Sequence, residues 1–286
     1  MYRSFIRPLA LAAGLVLFAP LASAQTVYGL FGLTSPPGNK QMGTLDPTDG
    51  NIALLGTSTS IDMNAISTTT GATAVAVNAR RMYFIGNEGG SDYVYTVNLD
   101  DGTLVSRIAL SASVATPPVS TLTTSNTMGV WYDEPNAVLY ALFIAPGGDR
   151  EVVSIDPTTG VATGLSGAIG GEAITTASGV FTGDSAGERV FFIGTPASDD
   201  PADPGSIYVV STVDGTETHV MLGDDYDENT IQGIEWDAST DTLWTIVHFD
   251  RDHIQRALGY IDPDGGDLTL DSTHWTTAIP SPPAAA

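Results

Sequence analysis

Two short segments decide how this chain reads: Leu139-Tyr140-Ala141-Leu142, and Ile155-Asp156-Pro157-Thr158-Thr159-Gly160. The first runs apolar, aromatic, any residue, apolar. The second is a strand end entering a turn. Asp hydrogen-bonds its own backbone two residues on, Pro presets φ, and Gly supplies a positive φ at the exit.

Both segments recur. The aromatic pattern returns as Val27-Tyr28-Gly29-Leu30, Met82-Tyr83-Phe84-Ile85, Val190-Phe191-Phe192-Ile193 and Leu243-Trp244-Thr245-Ile246, with the aromatics 55, 57, 51 and 53 residues apart. The turn returns as Leu45-Asp46-Pro47-Thr48-Asp49-Gly50, Leu99-Asp100-Asp101-Gly102, Val213-Asp214-Gly215 and Ile261-Asp262-Pro263-Asp264-Gly265. A third element precedes the aromatic strand: Ala74–Val77, Gly129–Tyr132, Gly179–Phe181 and Gly233–Trp236. A fourth follows the turn: Ile52–Leu55, Leu104–Ile108, Val161–Leu165, Val220–Leu222 and Leu268–Leu270. Four strands per repeat, here A to D, at this period are the signature of β-propeller blades.

The expectation is an all-β, five-bladed β-propeller of four-stranded antiparallel blades over residues 25–279. The first repeat lacks an A strand. Thr273-His274-Trp275-Thr276-Thr277-Ala278-Ile279 is read as supplying it and closing the ring, which would remove exposed sheet edges. The Pro- and Ala-rich residues 280–286 read as a disordered tail.

Residues 1–24 read as a secretory signal peptide. Arg3 and Arg7 precede an apolar run from Leu9 to Phe18, and Ala22-Ser23-Ala24 is a small-x-small cleavage site. The run is too short for a membrane span and ends at Pro20. Cleavage after Ala24 would deliver a soluble chain, expected to be a monomer, to the periplasm or the medium.

Composition excludes whole classes. The 286 residues hold 33 Asp+Glu against 10 Lys+Arg, for a net charge of −23. Such a surface repels phosphate backbones, so nucleic acid is excluded as a partner. Cysteine is absent, which removes disulfides, thiol chemistry and iron–sulfur sites. No Gly-x-Ser-x-Gly elbow, EF-hand loop or Asp box occurs.

The L/I-Asp-Pro-x-x-Gly turns and apolar-Tyr-x-apolar strands resemble the repeats of exported bacterial β-propellers, similar to the YVTN and gluconolactonase-like repeat proteins. The resemblance covers about residues 27–279 and implies a blade rather than an activity. Gluconolactonase-like propellers hold a divalent metal at the channel mouth with Glu, Asn and Asp. That resemblance implies Asn126, Asn229, Glu172 and Asn64 as candidate ligands, with the metal polarising a lactone carbonyl.

The A–B and C–D turns read as tight and the B–C and D–A connections as long, so any site is expected on the long-loop face. That face gathers Asp199, Asp200, Asp203, Asp224, Asp225, Asp227, Glu228, Asp250 and Asp252. Crowded carboxylates suit Ca²⁺, although a solvated acidic rim has the same composition. His248 and His253, with the aspartates between them, form a second candidate metal or catalytic cluster. Glu235 is the main acid on an inner strand, without an identifiable partner. Tyr28, Tyr83, Tyr140, Phe191 and Trp244 are expected to pack between blades. Trp131 or Trp236 is a candidate to line the channel and stack on a sugar.

The functional expectation is an exported, non-catalytic binding or scaffolding propeller. Its acidic loop face would take a small molecule, glycan or protein, with Ca²⁺ as the candidate ion. The alternative is a metal-dependent hydrolase of lactonase type at the channel mouth.

Overall fold

The computed structural model describes residues 27–32, 40–45, 52–55, 66–67, 73–112, 123–145, 148–165, 174–175, 181–184, 186–196, 205–222, 231–238, 240–248 and 256–276. Apart from one 3₁₀ turn at Thr124–Asn126, every regular element described is a strand. The arrangement is all-β and propeller-like.

The first sheet has three strands, β1 (Val27–Gly32), β2 (Lys40–Leu45) and β3 (Ile52–Leu54). The second joins β4 (Ile66–Ser67), β5 (Thr73–Ala76), β6 (Arg81–Glu88), β7 (Ser91–Asn98) and β8 (Leu104–Ala109). Next in the chain, β9 (Ser111–Ala112) joins the third sheet, running parallel to Val161–Ala162. The rest of that sheet is β10 (Thr127–Asp133), β11 (Val138–Ile144), β12 (Arg150–Ile155) and β13 (Val161–Gly164). The fourth holds β14 (Ile174–Thr175), β15 (Phe181–Gly183), β16 (Arg189–Pro196), β17 (Ser206–Ser211) and β18 (Glu217–Met221). The fifth is β19 (Ile231–Asp237), β20 (Thr242–His248), β21 (Arg256–Ile261) and β22 (Leu268–Thr276).

Strand alternation explains how the sheets assemble. Successive side chains point to opposite faces, and in β6, β11 and β16 both sets are apolar. Met82 and Phe84 enter the core shared with the first sheet, while Tyr83 and Ile85 enter the core shared with the third. Leu139, Ala141 and Phe143 face back to the second sheet, and Tyr140 and Leu142 face forward to the fourth. Val190 and Phe192 face back, and Phe191 and Ile193 face forward to the fifth. The A strands β5, β10, β15 and β19 lie side by side on the inside, in chain order. Rings lock these layers: Tyr83 stacks on Tyr132 at 4.5 Å, and Phe191 on Trp236 at 5.2 Å.

The Asp-Gly turns also dock neighbouring sheets. Gly160 has φ +73°, and a Cβ there would lie 2.2 Å from the Ala109 carbonyl oxygen at the end of β8. Its own carbonyl accepts the Ser111 amide at 2.9 Å. Gly266, with φ +74°, sits in the same way against the Met221 carbonyl at the end of β18. The chain leaving one sheet is thereby laid along the outer edge of the next, where β9 covers β13.

Several expectations change. Among the described residues four sheets, not five, are complete four-stranded blades, and the first repeat gives a three-stranded sheet. Thr273–Thr276 does not pair with β1. It extends the outer strand β22, with Ala257 opposite Trp275 and Arg256 opposite Thr276. The bulge between Ala257 and Gly259 lets the longer strand stay in register with β21. Residues 277–286 and 1–26 lie outside the described residues. The third A strand begins at Phe181 rather than Gly179, and the fourth D strand begins at Glu217. The B–C connection of the second blade is tight rather than long, because β6 and β7 are joined through Gly89 and Gly90 alone, both at positive φ.

These contacts separate two kinds of glycine. Gly89 has φ +61° with nothing near its Cβ position, so Gly89→Ala should cost about 1–2 kcal/mol, the left-handed penalty alone. Gly160→Ala should add about 1–3 kcal/mol for overpacking against backbone that has no side chain to move. Urea unfolding of the two variants checks the difference.

Candidate functional site

The best-defined concavity lies on the face of the A–B turns, opposite the face expected from loop length. Its local chemistry begins with an aspartate at the end of three inner strands. Asp133 is fully buried, and its carboxylate accepts the Asn136 amide at 3.2 Å and Asn136 Nδ2 at 2.7 Å. Asp184 accepts the Glu188 amide at 2.9 Å and Arg189 Nε at 2.9 Å. Asp237 accepts Trp244 Nε1 at 3.1 Å. Each holds its A–B turn by satisfying donors that a sharp turn leaves unpaired. Sequence reasoning passed over these residues, although Tyr132-Asp133, Gly183-Asp184 and Trp236-Asp237 mark them.

The same turns hold backbone strain. Arg80, Ala137 and Asp241 adopt φ of 54°, 56° and 57° near the exits of their A–B turns. Left-handed backbone costs a non-glycine residue about 1–2 kcal/mol.

Between the second and third blades this framework walls a cavity of about 530 Å³, lined by Asn78, Trp131, Tyr132, Glu134 and Pro135. Glu134 reaches across the boundary, accepting Asn78 Nδ2 and the Ala79 amide, both at 2.7 Å. Tyr132 is fixed by its stack on Tyr83. Burial, with a smaller effect from the Tyr132 hydroxyl, pushes the Tyr83 hydroxyl well above the ordinary tyrosine value. Trp131 stacks on Tyr140 at 5.7 Å and lies flat on Gly183 of the fourth blade, where a Cβ would come within 2.5 Å of the indole. The result is a rigid recess with two aromatic walls and an amide and a carboxylate at its rim. Such a recess can hold a flat or apolar group beside a hydrogen-bonding or cationic one.

On the same face Arg189 pins the fourth blade to the fifth. Its guanidinium lies 5.3 Å from the Phe191 ring centroid and 5.4 Å from that of Trp236. It pairs with Asp184 and approaches Asp241 at 3.8 Å and Asp264 at 3.9 Å. Both Trp131 and Trp236 are thus committed to packing between blades, and only Trp131 also lines the cavity.

The residues expected to form the loop-face site are mostly outside the described residues: Asn64, Glu172, Asp199, Asp200, Asp203, Asp224, Asp225, Asp227, Glu228, Asn229, Asp250, Asp252 and His253. The backbone of His248 closes β20 opposite Arg256. Asn126 is described, and it braces the start of β10. Its Oδ1 accepts the Thr123 amide at 2.8 Å and the Thr123 hydroxyl at 3.0 Å, and its Nδ2 donates to the Ile144 carbonyl at 2.9 Å. The oxygen that would face a cation is thus turned to two donors. Arg150, also at this end, is buried and donates to the Gly148 carbonyl at 2.6 Å, and burial pushes its guanidinium down. Among the described residues no group of three or more His, Asp or Glu is placed to hold a metal.

Glu235 lies on β19 opposite Trp244, on the face turned away from the fourth blade. Its side chain meets solvent. Protein still surrounds it closely enough that desolvation pushes its carboxyl above the ordinary glutamate value.

No model of a known protein family matches the sequence, and no curated protein matches it. Among solved structures the chain is similar to TolB of Acinetobacter baumannii, at 12% identity and a TM-score of 0.54, over 88% of this chain and 53% of that one. It is similar to a TolB candidate from Agrobacterium tumefaciens at 13% identity and the same TM-score of 0.54, over 85% of this chain and 76% of that one. The chain spans about half the length of the first. The likeness is one of fold, the all-β propeller. Among the described residues no helix is long and apolar enough to cross a membrane.

Two variants test this face and its neighbour. Ala137→Gly should relieve the left-handed strain and raise stability by about 0.5–1 kcal/mol in urea unfolding. The raised carboxyl of Glu235 favours the folded state only while protonated. Its contribution is present below the unfolded glutamate value and is lost as pH rises through the folded value. Glu235→Gln should therefore raise the melting temperature at neutral pH, with the gain vanishing in acid.

Proposed function

We propose that this chain is an exported binding or scaffolding propeller that recognises a partner molecule without transforming it. The observation that carries this reading is the cavity between the second and third blades, where Trp131, Tyr132, Glu134, Asn78 and Pro135 converge on elements fixed by buried aspartates. Rigid aromatic walls with a few polar groups at the rim are the usual form of a recognition site. The carboxylates there are occupied by backbone and side-chain donors, which suits holding a turn rather than moving a proton. The ligand class this recess fits is a glycan ring, or a peptide side chain carrying an amide or a cation.

The test is a glycan and peptide array probed with the exported chain, followed by titration of any hit against Asn78→Ala and Glu134→Gln. Binding that weakens about tenfold in either variant, equivalent to about 1.4 kcal/mol, supports the reading. Binding untouched by both overturns this placement of the site.

The acidic loop face belongs to the same proposal as a Ca²⁺ site that stiffens the long connections. Hard oxygen donors crowded in this way favour Ca²⁺ over softer ions. A native-state ion stabilises by RT ln(1 + [L]/Kd), so the melting temperature of the metal-stripped chain should rise saturably with Ca²⁺. A flat titration with Ca²⁺, Mg²⁺, Mn²⁺ and Zn²⁺ alike would remove the ion and leave a solvated acidic rim.

A further inference from the structure

One position of the aromatic repeat behaves unlike the others. Ile85, Leu142 and Ile193 are each 0% exposed, because the next blade covers them. Ile246 occupies the same repeat position in β20 and is 42% exposed, and nearby Tyr260 is 36% exposed. The aromatics one residue pair earlier tell the same story. Tyr83 and Phe191 each stack on an A-strand ring of the following blade, Tyr132 and Trp236. Trp244 instead meets Tyr260 of its own sheet, edge to face at 5.8 Å. Thus β20 is buried on the side of the fourth blade and open on the other.

The sheet that follows the fifth around such an arrangement is the first. By the repeat, β1 corresponds to the B strands β6, β11, β16 and β20. Each of those pairs with a C strand on one edge and an A strand on the other. Among the described residues β1 pairs with β2 alone. What covers the other blades at this position is an inner strand, paired to the B strand of its own sheet and packed on the B strand of the sheet before. The unpaired edge of β1 and the open Trp244–Ile246 face are the two surfaces such a strand would use. Thr273–Thr276, which reads as the natural donor, is engaged on β21. Pro280, Pro282 and Pro283 have no N–H to give to a ladder.

We propose that these two surfaces form a docking site for one extended segment of a partner protein, added to the inner edge of β1 as a β-strand. Strand addition draws affinity from main-chain hydrogen bonds and specificity from alternate side-chain positions. The inner strands of this chain show the required pattern: apolar residues alternating with small or polar ones, as in Thr127–Asp133. Glu235 lies beside Trp244 on the open face, and the chain carries a net charge of −23. The partner segment is therefore basic as well as alternating. This site is separate from the cavity of the second and third blades, so the failure of either leaves the other standing.

The experiment uses the chain as recovered after export, and beside it the chain that retains residues 1–24. The probe is a synthetic peptide copying Thr127–Asp133 with the change Asp133→Lys. Hydrogen exchange of the amides of residues 27–32 is followed with and without peptide. At peptide tenfold above Kd these amides should slow about tenfold, with one peptide bound per chain. Ile246→Glu, on an exposed position, should melt like the parent and bind the peptide at least tenfold more weakly. Three results overturn the proposal: no peptide binding by the exported chain; β1 amides already slow without peptide, which assigns the edge to the chain itself or a second copy; or β1 amides slow only when residues 1–24 are retained, which assigns it to that segment.

Discussion

Everything in this molecule depends on the second strand of each repeat being buried on both faces. A strand with one apolar face needs only one neighbour, whereas a strand with two must be sandwiched. Met82-Tyr83-Phe84-Ile85, Leu139-Tyr140-Ala141-Leu142 and Val190-Phe191-Phe192-Ile193 are apolar at every position, and each is buried throughout. Each therefore serves two cores, and four cores couple the five sheets in chain order. Burial of this kind, at roughly 25 cal/mol per Å² of apolar surface, lets a chain without a single cysteine order itself outside the cell. The outer strands carry less of it, and Leu104, Val105 and Met221 remain exposed.

The turn residues then convert stacked sheets into one body. An Asp at the end of an inner strand satisfies the donors of the A–B turn, and an Asp at the C–D turn does the same two residues on, as Asp156 does for the Thr158 amide at 2.8 Å. Hydrogen bonds from the Thr158 side chain and amide hold the Asp156 carboxyl below the ordinary value. Asp101 and Asp214 are lowered in the same way by Thr103 and by Ser211 with Thr216. Much of the acidity among the described residues is thus structural. The glycines that close these turns admit the preceding sheet's carbonyl, so one motif both turns the chain and docks the next blade.

The recess on the A–B turn face follows from these constraints. Trp131 is held flat by a glycine in the neighbouring blade, Tyr132 by a ring in the preceding one, and Glu134 by the backbone of a turn it does not belong to. None of the three is free to collapse into the space between them. Strain near the turn exits, at Arg80, Ala137 and Asp241, is tolerated because capping aspartates and packed strands fix the backbone on either side.

The amino-acid sequence by itself determined the repeat, the strand order within a blade, the turn chemistry and the packing role of the recurring aromatics. These are local facts: alternation and turn preference act over two to six residues and survive in any context. Only the tertiary structure decided what depends on neighbours distant in the chain. Loop length pointed to the B–C and D–A face, but a cavity forms where side chains from two blades fail to fill the space between them, and that is set by Gly183 under Trp131 and by Glu134 crossing to Asn78. The segment at Thr273 carries a strand pattern that fits either edge of a sheet. Its attachment to β21 was settled by register and by the bulge at Ala257, neither of which a period-two pattern encodes. Asn126 looked like a ligand because an amide oxygen suits a cation, and the fold turned that oxygen to the Thr123 donors instead.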